Sequence, residues 1–167
     1  NEEIRQELLA ATRRTKWNEL LLFEKESADL LDATLDMDEE AVAESIEKIH
    51  MEYVSSIQYN DENSLSSVLS IAYLSTLRYY FKPIRELPAG RGYADFVFIP
   101  KPEYVEYYPA LLIELKWNKN AKTALQQIKE RKYPSALLQY TGNILLVGIN
   151  YNKKTKVHEC KIEEFVK

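Results

Sequence analysis

The hydrophobic period of the chain changes at Phe81, and that change limits the fold more than any other feature. From residue 2 to about 56, apolar residues such as Ile4, Leu8 and Leu9, then Leu20, Leu21 and Phe23, recur at three- and four-residue steps. Such spacing lines one face of an α-helix, so two or three helices are expected. Asp36-Met37-Asp38 interrupts the pattern and can cap a helix over 38–54, with Val42, Ile46, Ile49 and Tyr53 as its stripe. The polar run 60–64 is a second start signal. Leu65, Val68, Leu69, Ala72, Leu74 and Leu77 follow it and predict a long, substantially buried helix.

After Phe81 the pattern is that of strands, over 83–87, 93–99 and 109–117, with Pro100-Lys101-Pro102 breaking the last two apart. A helix is expected over 121–132 on the stripe Ala121, Ala124, Leu125 and Ile128, then strands over 143–151 and 157–162. This order predicts an α/β fold, a mixed sheet flanked by helices.

A chain of 167 residues suits one such domain with a helical extension and has no room for two unrelated enzymatic domains. With 46% hydrophobic and 29% charged residues and four glycines, it is neither disordered nor collagenous. No apolar run approaches the roughly 20 residues of a membrane span, and no signal peptide is evident. The single cysteine, Cys160, supports no internal disulfide or zinc framework, and a cytoplasmic setting is the expectation. The first residue is Asn1, so the chain is expected to be a piece of a longer protein.

Charge is divided unevenly. Residues 1–81 carry 7 Lys and Arg against 17 Asp and Glu, a balance of −10, while residues 82–167 carry 15 against 9, a balance of +6, within a net charge of −4. A basic half suits contact with a polyanion, and an internal match between two packed layers is the plainer reading.

The strand 111–117, Leu-Leu-Ile-Glu-Leu-Lys-Trp, is apolar except for an acid and a base two residues apart. Strand alternation puts Glu114 and Lys116 on one face and Ile113, Leu115 and Trp117 on the other. The preceding strand also holds one acid, Asp95, in an apolar run. Isolated carboxylates in such surroundings need a partner. Two carboxylates and a lysine converging at a sheet end can hold a divalent cation and steady a water or an anion, the chemistry of metal-assisted phosphodiester cleavage. Taken alone, Glu114 and Lys116 also suit a salt-bridged solvent face of an edge strand. Gly90 and Gly92 allow a tight turn before Asp95, and the helix after the strand offers amide and basic groups for a phosphate backbone.

Four ordered blocks, G-R-G-Y-A-D at 90–95, I-E-L-K-W at 113–117, A-L-Q-Q-I-K-E-R-K-Y at 124–133 and L-L-V-G-I-N-Y at 145–151, resemble the PD-(D/E)XK nuclease superfamily. Within it they more closely resemble the nuclease-like C-terminal module of bacterial AAA-ATPase-like proteins. The resemblance spans about 61–165 and implies a restriction-endonuclease-like mixed sheet at 57–167. Residues 1–56 would be a helical extension, the tail of a missing N-terminal ATPase-like module. It is expected to pack beside the sheet domain without supplying metal ligands, so that its removal leaves metal binding largely intact while exposed apolar surface costs solubility.

By the same resemblance, Asp95 and Glu114 are the metal carboxylates for Mg²⁺, with Mn²⁺ as a substitute. Lys116 is the catalytic lysine, Gln127 the helix glutamine beside the site, and Glu62 an accessory acid. Gln127 stands six residues before Tyr133, a wider spacing than in the RecB-like pattern. Glu62 equally suits the first turn of a helix, where the macrodipole favours a carboxylate. The implied activity is Mg²⁺-dependent nuclease action on DNA. The alternative is a catalytically inactive module that docks nucleic acid or protein for an associated ATPase. The chain itself has no G-x-x-x-x-G-K-S/T phosphate loop. His50 and His158 lack ligand-spaced companions, and the tyrosine pairs at 79–80 and 107–108 suit packing better than base stacking.

Overall fold

The computed structural model describes residues 1–85, 95–130 and 140–165. Helix α1 (Glu2–Leu35) and helix α2 (Glu39–Tyr53) are separated at the expected break, where the Asp38 side chain accepts the Ala41 N–H and caps α2. Helix α3 (Glu62–Ala72) starts at Asp61, which forms a reciprocal capping box with Ser64.

The expected long helix is shorter than its apolar pattern. It passes into a 3₁₀ turn over Leu74–Arg78, leaving Leu74 and Leu77 exposed. Ser27 of α1 supplies the reason. Its hydroxyl donates to the Ala72 carbonyl at 2.6 Å and accepts the Ser75 N–H at 2.9 Å, satisfying groups that would otherwise continue the helix.

Five strands form one sheet in chain order: β1 (Ile84–Arg85), β2 (Phe96–Phe98), β3 (Ala110–Trp117), β4 (Ile144–Asn152) and β5 (Val157–Glu164). All neighbours are antiparallel except β3 and β4, whose parallel pairing needs the crossover that helix α4 (Ala121–Glu130) provides. The sheet is therefore mixed and covered on both faces, the α/β architecture expected. The expected strand starts at 93–94, the end of the first strand at 86–87 and the helix end at 131–132 lie outside the described residues.

Alternation along the strands divides the core. Leu111, Ile113, Leu115, Val147, Ile149 and Ile162 face α1, α2 and α3, where they join Leu30, Ile46, Ile49, Leu65 and Leu69. Val97, Leu112 and Leu146 face α4 and pack with Leu125 and Ile128. Glu39 of α2 covers part of the β5 edge by accepting the Ile162 N–H at 2.7 Å, which blunts a strand edge open to unwanted pairing. The front of α1 stands apart from this core, with Ile4, Leu8, Trp17 and Leu20 exposed although their spacing is that of a buried stripe. No helix among the described residues is long and apolar enough to cross a membrane.

Candidate functional site

β3 places Leu112, Glu114 and Lys116 on the α4 face of the sheet. Glu114 is only 1% exposed, and Lys116 Nζ lies 3.7 Å from its Oε1. A carboxylate in an apolar strand needs compensating charge, and this ammonium supplies it. In the antiparallel register β2 sets Phe96 opposite Ile113. Asp95 is the residue before β2, in a bend where the expected strand 93–99 has not yet begun to pair. Asp95 Oδ2 accepts the Leu115 N–H at 2.7 Å, a charge-assisted bond that orients the carboxylate where the β2 ladder ends. The Asp95 carboxylate is thus anchored to the β3 backbone between Glu114 and Lys116, which share the α4 face.

Neighbouring residues hold α4 against this face. Gly148 is the parallel-register partner of Glu114. A Cβ at Gly148 would lie 2.6 Å from the Ala121 carbonyl oxygen and 3.1 Å from the Leu125 nitrogen, so glycine is required for the helix to lie this close. Asn150, the register partner of Lys116, is buried and accepts the Lys119 N–H at 3.0 Å. Glu159 of β5 accepts the Ala121 N–H at 2.6 Å, and Asn120 accepts the Thr123 N–H at 2.7 Å. Together they satisfy two of the first-turn donors of α4, the Ala121 and Thr123 N–H groups.

Sequence reasoning assigned no role to Gly148, Asn150 or Glu159. A glycine within the buried run 144–150 was the available signal for Gly148. Glu159 carried none, because its partner lies across the sheet.

Gln127 is half-buried on α4, and its neighbours Leu125 and Ile128 pack over Leu112, the position before Glu114 on that face. Glu62 is in the first turn of α3, on the opposite face of the sheet. Tyr59, three residues earlier, meets Trp117 edge-on at 6.3 Å, which brings the start of α3 to the end of β3 that carries Lys116. Asp95, Glu114 and Lys116 are therefore contiguous along β3, while Gln127 and Glu62 stand on helices that cover opposite faces of the sheet. The Gly90–Gly92 turn and residues 131–133 lie outside the described residues.

The histidines serve a different cluster. His50 stacks on Tyr59 with ring centroids 4.0 Å apart, and His158 Nε2 lies 3.0 Å from the Tyr59 hydroxyl. Burial, with a smaller contribution from His50, pushes the His158 pKa down to about 4. The expected packing role of the tyrosines also holds at Tyr79, which stacks on Tyr108 at 4.4 Å, and at Tyr80, whose hydroxyl donates to the Pro109 carbonyl.

The donor set suits a hard divalent cation. Among the described residues no group of three or more His, Cys, Asp or Glu side chains forms a cage. Mg²⁺ keeps several waters and is commonly held by one or two carboxylates, which is what Asp95 and Glu114 offer. A family model described as the PD-(D/E)XK nuclease superfamily matches residues 60–161. No curated protein shows a significant match to the chain.

Proposed function

From a chain that belongs to the PD-(D/E)XK nuclease superfamily, we propose a metal-dependent nuclease that hydrolyses phosphodiester bonds in DNA through Asp95, Glu114 and Lys116. One observation carries the reading. The buried Glu114 lies 3.7 Å from Lys116, and the Asp95 carboxylate is held by the N–H of Leu115, the residue between them. Such an arrangement has no packing purpose inside apolar strands and stabilises the fold poorly compared with hydrophobic residues.

Asp95 and Glu114 would hold Mg²⁺, with Mn²⁺ as a substitute. When bound, the cation supplies a Lewis acid at a phosphoryl oxygen and lowers the pKa of its water. Lys116 orients the attacking water or stabilises the charge that develops on the phosphate, and the Leu115 N–H keeps Asp95 turned toward the site. Gln127 and Glu62 are proposed as flanking groups that assist from α4 and α3.

The test combines metal titration by calorimetry with plasmid cleavage in Mg²⁺ or Mn²⁺ for wild type and three variants, each checked for folding. Asp95→Ala and Glu114→Ala should abolish metal binding and cleavage together. Lys116→Ala should retain metal binding and slow cleavage by about 10²–10³-fold, the usual cost of losing one group that stabilises transition-state charge. Unchanged cleavage in the Lys116 variant would remove that residue from the mechanism.

The exposed apolar residues at the front of α1 favour a second reading, in which the domain docks to another module such as an ATPase. A wild type inert with every divalent metal and nucleic acid tried would favour that reading over hydrolysis.

A further inference from the structure

We infer that the loops leaving β3 and β4 form a rigid lysine platform that grips the backbone of duplex DNA beside the site, an inference whose choice of DNA rests on the nuclease reading. Because these strands are parallel, both leave the sheet at the same end, two residues beyond Lys116 and its register partner Asn150. The turn after β3 begins at Asn118, and the turn that joins β4 to β5 follows Asn152.

Asparagine side chains lock the two turns together. Asn118 Oδ1 accepts the Lys153 N–H at 2.8 Å, and Asn150 Oδ1 accepts the Lys119 N–H at 3.0 Å. The Asn118 N–H in turn donates to the Tyr151 carbonyl at 2.8 Å. Within the hairpin, Asn152 Oδ1 accepts the Lys154 N–H at 2.9 Å, and the Lys156 N–H donates to the Asn152 carbonyl at 2.8 Å. These bonds fix the lysine backbones while their side chains project into solvent around a groove of about 590 Å³ lined by Asn118, Asn152, Lys153 and Lys154.

Charge then selects the occupant. Lys48, Lys116, Lys129 and Lys161 each have a carboxylate partner, but among the described residues Lys119, Lys122, Lys153, Lys154 and Lys156 form no ion pair. Glu159, which pairs with Asn150 across β4 and β5, already accepts the Ala121 N–H. Uncompensated cations clustered at one end of a chain with net charge −4 suit an evenly charged polyanion. They lie beyond the end of β3 that carries Lys116, on the side from which an anionic substrate approaching two carboxylates needs attraction.

The test measures binding of the full chain, in chelator, to a fluorescein-labelled DNA duplex of about two helical turns and an RNA duplex of the same sequence, between about 50 and 200 mM salt. Lys153→Ala/Lys154→Ala/Lys156→Ala should weaken DNA binding about 100-fold at 150 mM salt and reduce the logarithmic salt slope by about 2.7, or about 0.9 for each phosphate no longer neutralised. Lys16→Ala/Lys25→Ala on α1 should change neither. Unchanged affinity and slope in the triple variant, no DNA binding by wild type, or tighter binding to the RNA duplex would each overturn the assignment.

Parallel plasmid cleavage separates this outcome from that of the nuclease reading. A wild type that cleaves, with a triple variant that binds and cleaves equally well, removes the platform and leaves hydrolysis standing. A wild type that binds through these lysines but cleaves nothing supports the platform and removes hydrolysis.

Discussion

Gly148 lets two backbones approach by having no side chain. Its missing Cβ leaves room for the Ala121 carbonyl oxygen, which cannot rotate away as a flexible side chain would. Gly148→Ala should therefore push the start of α4 off the sheet, cost about 1–3 kcal/mol of stability in urea denaturation, and lower cleavage by disturbing the wall beside Glu114. A variant as stable as wild type would show that the helix yields without strain. His158 gives the fold a pH dependence. Its folded pKa of about 4 lies below the ordinary value of 6.5, so the unfolded chain binds the proton first as pH falls. Stability present above pH 6.5 should decline down to about pH 4, by up to about 3 kcal/mol, and level off below that as far as this residue is concerned. His158→Gln should flatten this part of the curve in denaturant titrations at several pH values.

Among the elements, α1 is joined to the end of α3 by several hydroxyls, of which Ser27 makes two of the bonds. Ser27 Oγ serves both the Ala72 carbonyl and the Ser75 N–H, and the Ser75 hydroxyl returns a bond to the Ser27 carbonyl at 2.8 Å. Ser27→Ala would leave buried backbone groups unsatisfied and should cost about 1–3 kcal/mol, read as a lower denaturation midpoint with an unchanged slope. The α2 cap was legible in Asp38 and the α3 cap in the polar run 60–64, because capping chemistry is local. The end of α3 was not legible, because the apolar pattern continues to Leu77 and the group that stops the helix belongs to α1, 45 residues away in the chain.

At the scale of the whole molecule, the family match begins at residue 60, but the packed core begins earlier. Leu30 and Leu31 of α1 and Val42, Ile46 and Ile49 of α2 are buried in the same cluster as Leu111, Ile113 and Val147. Deleting 1–56, expected from sequence to spare metal binding, should therefore expose the helical face of the sheet and yield aggregated or unfolded protein. Deleting 1–16 should leave the circular dichroism spectrum per residue and the melting cooperativity of a folded domain, because the described side chains removed are exposed. A soluble, cooperatively folded 57–167 fragment would show that the sheet domain holds together without these helices.

Sequence alone determined the alternation that sets Glu114 and Lys116 on one face, the cap of α2, and the helix–strand order that makes a mixed sheet. Each is a local property, decided by residues within one element or by the order of elements along the chain. Only the tertiary structure decided that β2 and β3 are neighbours in antiparallel register, that the Leu115 N–H holds Asp95, and that α4 rests on Gly148. Those relations depend on strand register and on how closely two backbones approach, and both are set by packing between residues far apart in the chain.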